Sequence, residues 1–148
     1  MARRVKQPGL LAGPVLVLDA QGLSLLADDD RRMLARLELA RRDGFAPIIS
    51  AVTLVEQRRA RRAAKRLEWV RSRLTVIDVT EGLADLAAAL LEDAGLSGHD
   101  CVVDALVVAT AASGTGPSKV ASSDGSHIRR LCEAASLQRP SRVEWLRI

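Results

Sequence analysis

The stretch Val15-Leu16-Val17-Leu18-Asp19-Ala20 places four apolar residues directly before a carboxylate. A short run with no polar face predicts a strand that is buried on both sides, as in a parallel sheet covered by helices. In such sheets ligands bind beyond the carboxyl ends of the strands. The stretch therefore predicts a fold class and makes Asp19 a candidate site residue.

Strand patterns alternate with helical patterns along the rest of the chain, which indicates crossover connections and parallel strands. Further strands are predicted at Pro47–Ile49, Leu74–Val79, Lys119–Ser122 and Val143–Leu146, and a long helix at Ala51–Arg71. The expected fold is α/β: three α/β/α layers around a mostly parallel central sheet of about five strands. We expect residues 1–14 to form a flexible tail and residues 15–148 a single domain.

The amino-acid composition argues against some classes of function and favours others. The chain has 148 residues, 48% of them hydrophobic, with no apolar run near the roughly 18 residues of a membrane-spanning helix. Aromatic residues make up only 2% of the chain, which argues against an aromatic platform for stacking bases. A net charge of +4 and a pI near 9.8 favour a polyanionic partner.

The chain has two cysteines, Cys101 and Cys132, and two histidines, His99 and His127. The cysteines form no CxxC pair, so we interpret them as reduced core thiols of a cytoplasmic protein. Together the four residues match no zinc-site spacing, which argues against a zinc site. The histidines are interpreted as surface residues rather than general bases.

Four acidic residues are expected near the carboxyl edge of the sheet: Asp19, Glu56, Asp104 and Asp124. Asp104 is the most informative, because a carboxylate within an apolar helix is costly to bury unless it is paired or metal-bound. Each also has a structural interpretation. Asp19 and Asp124 could cap helices, Glu56 could pair with Arg59, and Asp104 could reach solvent or an arginine.

Several carboxylates in one cleft repel one another, by roughly 1 kcal/mol per pair at about 4 Å in water and about 4 kcal/mol at an effective dielectric of about 20. A divalent cation would neutralise such a cluster, and oxygen ligands favour Mg²⁺ or Mn²⁺. A cation of this kind activates water for attack, commonly on a phosphodiester. Asp19 and Asp104 are the expected direct ligands, with Glu56 and Asp124 completing the set directly or through water.

A basic segment supplies a matching surface for a phosphate backbone. The chain from Arg58 to Arg73 carries eight positive residues against Glu68 alone, whereas a solvated helix face usually mixes signs. The predicted RNA-contacting residues are Arg58, Arg59, Arg62, Lys65 and Arg66.

In order and spacing, four segments resemble the acidic motifs of the PIN domain, most closely its VapC-like toxin ribonucleases. These segments are Leu18–Ala20, Leu54–Glu56, Val103–Ala111 and Ala121–Asp124, and the resemblance spans roughly Val15 to Leu146. It implies an Mg²⁺- or Mn²⁺-dependent endoribonuclease, the toxin of a toxin–antitoxin pair. It also implies homodimers and inhibition by a small antitoxin protein.

The chain departs from that pattern at two places. Gln21-Gly22 stands where many relatives have a Ser or Thr that holds the first carboxylate, so Gln21 or Ser24 is expected to substitute. Gly125-Ser126-His127 stands where many relatives carry a further acidic residue. Asp100, one turn before Asp104, is left outside the core set as an assisting or capping residue.

Two other classes of function compete with the nuclease. A degenerate PIN-like module would bind RNA or a partner without cutting, keeping the basic helix and needing no metal. A phosphoryl-transfer or receiver domain would use Asp19 as acceptor, but a haloacid-type phosphatase expects an Asp where Gln21 stands. The chain also lacks a glycine-rich phosphate loop of standard spacing.

Overall fold

The computed structural model describes residues 3–5, 11–59 and 64–148, which form a six-stranded sheet with helices on both faces. The strands are β1 (Arg3–Val5), β2 (Val15–Leu18), β3 (Ala46–Ser50), β4 (Thr75–Ile77), β5 (Ser118–Ser122) and β6 (Val143–Arg147). The helices are α1 (Ala20–Ala27), α2 (Arg31–Arg42), α3 (Ala51–Arg59), α4 (Ala64–Ser72), α5 (Glu81–Asp93), α6 (Gly98–Ala112) and α7 (His127–Leu137).

Every neighbouring pair of strands is parallel, in the order β1-β4-β3-β2-β5-β6. The chain moves from β2 to β3 on one side and later returns to place β5 on the other. The boundary between β2 and β5 is therefore a topological switch point, where open α/β sheets bind ligands. Leu18 of β2 lies opposite Ala121 of β5, so these strands end at nearly the same level.

The two faces of the sheet carry separate apolar clusters, because successive side chains of a strand point to opposite sides. Val15 and Val17 pack with residues of α5, α6 and α7. Leu16 and Leu18 pack with residues of α1, α2, α3 and α4. This arrangement confirms the expected three-layer α/β/α fold and the prediction of a central strand buried on both sides.

Side-chain caps fix where several helices begin. Asp19 accepts a hydrogen bond from the Gly22 N–H at 2.8 Å, and Asp30 accepts one from Met33 N–H at 2.7 Å. Thr80 caps α5 through the Leu83 N–H at 3.2 Å. These bonds satisfy amide groups that have no partner within the helix. Asp19 therefore caps α1, as expected, and its carboxylate lies at the carboxyl end of β2.

Three boundaries differ from those expected. Arg3–Val5, within the segment assigned to a flexible tail, pair with β4 as a sixth strand. The strand predicted at Leu74–Val79 is shorter, at Thr75–Ile77. The helix predicted at Ala51–Arg71 corresponds to α3 and α4, and residues 60–63 between them lie outside the described residues.

Within the described residues, no single helix is both long and apolar enough to cross a membrane. Helices α5 and α6 reach that length and composition only when taken together, and they are bent by 120° relative to each other.

Candidate metal centre

Three of the four predicted acidic residues meet at the carboxyl edge of the sheet. Asp19 follows β2 directly, and Asp124 lies in the turn after the adjacent β5. Asp104 lies in the first half of α6, a helix that packs on β2 and then leads back to the start of β5. The first half of α6 therefore lies toward the edge where β2 and β5 end.

Burial and neighbouring charge act together on two of these carboxylates. Burial raises the pKa of Asp19, and the charge of Asp124 raises it further. Burial also raises the pKa of Asp104, as do the charges of Asp124 and, to a smaller extent, Asp19. Since like charges oppose ionisation, the charge of Asp124 makes both Asp19 and Asp104 harder to deprotonate.

Hydrogen bonds within its own turn orient Asp124. The N–H of Ser126 donates to Asp124 Oδ1 at 2.9 Å, and the Ser126 hydroxyl donates to the same oxygen at 2.7 Å. The Ser126 hydroxyl is the main reason that the pKa of Asp124 is lowered, because these bonds favour the charged form. With Oδ1 held in this way, Oδ2 faces the ring of His127.

Sequence reasoning missed Ser122 as a residue that acts on Asp19. The buried Ser122 side chain lowers the pKa of Asp19 and so partly offsets the effect of burial, and its hydroxyl accepts the N–H of Asp124 at 3.1 Å. The hydroxyl of Ser24, the other expected substitute, accepts a bond from Gln57 Nε2 at 2.8 Å. Gln21 contributes to Asp19 through its backbone N–H. In the sequence, the feature that could have indicated Ser122 is its position at the end of the strand that lies beside β2.

His127, predicted to be a surface histidine, is partly exposed and lies between two carboxylates. Its Nδ1 is 3.5 Å from Asp104 Oδ2 and 3.7 Å from Asp124 Oδ2. Asp104, Asp124 and His127 each offer a ligand atom, and these atoms all lie within 4.8 Å of one another. In the sequence, the feature that could have indicated this position of His127 is its spacing from Asp124, three residues earlier, across a glycine-containing turn that leads into a helix.

Glu56 is exposed on α3, a helix that contacts α6. Among the residues with described side chains, it does not belong to the group of ligand atoms within 4.8 Å. Asp100 and His99 are also exposed, at the start of α6. Among the described side chains, the group of ligand atoms within 4.8 Å therefore holds Asp104, Asp124 and His127, and neither Asp19 nor Glu56 belongs to it.

The cysteines take no part in this group. Cys101 and Cys132 are free and buried, as expected for core thiols. Burial raises the pKa of Cys132 to about 12, so its thiolate, the form that binds metals, is disfavoured.

The predicted RNA-contacting residues are only partly covered by the described chain. The side chains of Arg58 and Arg59 and all of Arg62 lie outside it. Lys65 is exposed. Arg66 Nη2 donates to Asp29 Oδ1, and its guanidinium lies 4.4 Å from the centre of the Trp69 ring. Arg66 is therefore already engaged by an anion and an aromatic face.

Comparison with known proteins supports the fold. No protein-family model matches the chain, and no curated protein matches it. Among solved structures, the chain resembles one from the crystal structure of VapBC2 from Rickettsia felis bound to a DNA fragment from their promoter. The sequences are 17% identical and the TM-score is 0.63, over 89% of this chain and 98% of that one. The likeness shows a shared fold.

Proposed function

We propose that this protein is a PIN-like, metal-dependent endoribonuclease and the toxin of a toxin–antitoxin pair. The observation that carries the proposal is that Asp104 and Asp124 offer ligand atoms within 4.8 Å of each other, near the switch point where Asp19 follows β2. The fold shared with a chain of the VapBC2 structure supports it. The reaction proposed is hydrolysis of an RNA phosphodiester bond.

The donor atoms suit Mg²⁺ or Mn²⁺. Carboxylate oxygens are the preferred ligands of both cations. Burial and mutual repulsion raise the pKa of both Asp19 and Asp104, so a nearby positive charge would lower the free energy of their ionised forms. When bound, the cation would activate water for attack on phosphorus and stabilise the charge that develops on the phosphate.

The protein's own residues would hold and orient this charge cluster. The Gly22 N–H orients Asp19, and Ser126 orients Asp124, so two carboxylates are positioned before any ligand arrives. Asp104 comes from a rigid helix. Such preorganised charges lose little free energy to rearrangement during reaction. Glu56 is proposed to complete the set from α3, directly or through water.

The basic segment is proposed to bind the RNA backbone, with Lys65 as its exposed described member. The net charge of +4 favours association with a polyanion. We further propose a homodimer in the cytoplasm and a small antitoxin protein as inhibitor. The similarity to a chain of the VapBC2 structure supports the antitoxin.

The test is cleavage of a pool of random-sequence RNA by the purified protein. We expect cleavage with Mn²⁺ or Mg²⁺, none with excess chelator, and loss of cleavage in Asp19→Asn and Asp104→Asn. Asp85→Asn is the matched control, because Asp85 is an exposed aspartate on α5. RNA binding without metal-dependent cleavage would replace the nuclease by a non-cutting RNA-binding module.

A further inference from the structure

The nitrogen of His127 lies in the same small volume as two carboxylate oxygens. Nδ1 is 3.5 Å from Asp104 Oδ2 and 3.7 Å from Asp124 Oδ2. Both separations exceed the usual N–H···O length of about 2.7–3.2 Å. At these lengths, any hydrogen bond from the ring to either carboxylate is a long one.

The separations are those expected of atoms that share one cation. Ligand atoms about 2.1 Å from an ion stand about 3.0 Å apart at a right angle and about 4.2 Å apart on opposite sides. Both nitrogen–oxygen distances, 3.5 and 3.7 Å, fall within that range. The remaining separation, between the two carboxylate ligand atoms, is at most 4.8 Å, so the three atoms surround a space the size of one cation.

The turn that carries Asp124 and His127 is held by β6. Trp145 Nε1 donates to the carbonyl of Ser122 at 2.9 Å, and the Trp145 ring packs on Gly125. A Cβ at position 125 would lie 2.5 Å from the ring, so only glycine permits this contact. The backbone leading into His127 is thus positioned by packing, which lowers the entropy lost when a ligand binds.

We propose that Nδ1 of His127 is a direct ligand of the cation, beside Asp104 and Asp124, and that the site consequently prefers Mn²⁺ to Mg²⁺. Imidazole is a good ligand for first-row transition ions, whereas Mg²⁺ favours oxygen. The inference rests on the proposed function, because it concerns the same cation, and it makes His127 part of the site.

The test uses Mn²⁺ alone, with electron spin-echo measurements of nitrogen coupling. The chain has only two histidines, so His99→Ala is a matched control. We expect imidazole ¹⁴N coupling in the wild type and in His99→Ala, and none in His127→Ala. Mn²⁺ affinity should fall about 10- to 100-fold in His127→Ala, at least as much as when a second-shell partner is lost. Mg²⁺ affinity, from competition, should fall less.

The outcomes separate this inference from the proposed function. Mn²⁺ bound without ¹⁴N coupling in the wild type would refute ligation by His127 and leave the carboxylate site standing. Failure of the wild type to bind either cation would refute the proposed function itself. His127→Asn provides a second variant if His127→Ala does not fold, and its loss of ¹⁴N coupling with retained folding would support ligation.

Discussion

Replacing Gly125 with alanine should destabilise the protein through a single contact. The new Cβ would lie 2.5 Å from Trp145 Cη2 and 2.9 Å from Cζ2, well inside van der Waals contact. The ring cannot move freely, because its Nε1 donates to the Ser122 carbonyl. Relief must come from displacing either the indole or the turn that bears Asp124 and His127.

The expected cost follows from overpacking, which typically amounts to about 1–3 kcal/mol. For a chain of this size, that corresponds to a fall in Tm of roughly 2–4 °C per kcal/mol. Gly82→Ala is the matched control, because nothing lies within 4 Å of a Cβ placed there. It should be neutral or stabilise by up to about 1 kcal/mol. Urea unfolding of both variants measures the difference.

A double-mutant cycle identifies the contact. Trp145→Phe removes the far ring atoms that a Cβ at Gly125 would meet, so Gly125→Ala should cost clearly less in that background. We expect a coupling free energy of about 1 kcal/mol or more, as for residues in direct contact. Either of two results would refute the reasoning. One is a Gly125→Ala variant as stable as the wild type. The other is a double variant whose loss of stability equals the sum of the losses in the two single variants.

Three further predictions concern charge and hydrogen bonding. Burial, and then the charge of Asp124, raise the pKa of Asp104 above 3.8, so the folded state holds this proton more tightly. Without metal, Asp104→Asn should therefore gain stability relative to wild type as pH rises above that value, measured by urea unfolding at two pH values. Arg139→Ala should destabilise by about 1–3 kcal/mol, because the guanidinium donates to the carbonyls of Gly114 and Gly116; Arg139→Lys should recover part of the loss on thermal unfolding. Lys65→Ala should reduce the salt dependence of RNA binding by about 0.7 in the log–log slope, and an unchanged slope would exclude Lys65 from the phosphate contacts.

The layers of the fold could be predicted because they depend on local pattern. Val15–Leu18 has no polar face, so it had to be covered on both sides, and the structure buries all four residues. Caps at Asp30 and Thr80 are equally local. The strand at Arg3–Val5 was not predictable in this way. Its three residues, two of them arginine, show no alternation of apolar and polar side chains. The strand is defined by its pairing with β4.

The site was predictable where position along a strand decides it. Asp19 and Asp124 each follow a strand, so parallel pairing brings them to one edge. Glu56 shows where this reasoning stops, because its place depends on the rotation of α3 about its axis. A helix turns about 100° per residue, so a small error in rotation moves a side chain from the cleft to solvent.

Ser122 and His127 required knowledge of which strands are neighbours. Ser122 can lower the pKa of Asp19 only because β5 lies beside β2, and the sequence does not state strand order. His127 reaches Asp104 only because the turn after β5 is held by Trp145, a residue of the next strand. A histidine three residues after an aspartate is unremarkable on its own. It becomes a candidate ligand because three elements, α6, α7 and β6, converge on one turn.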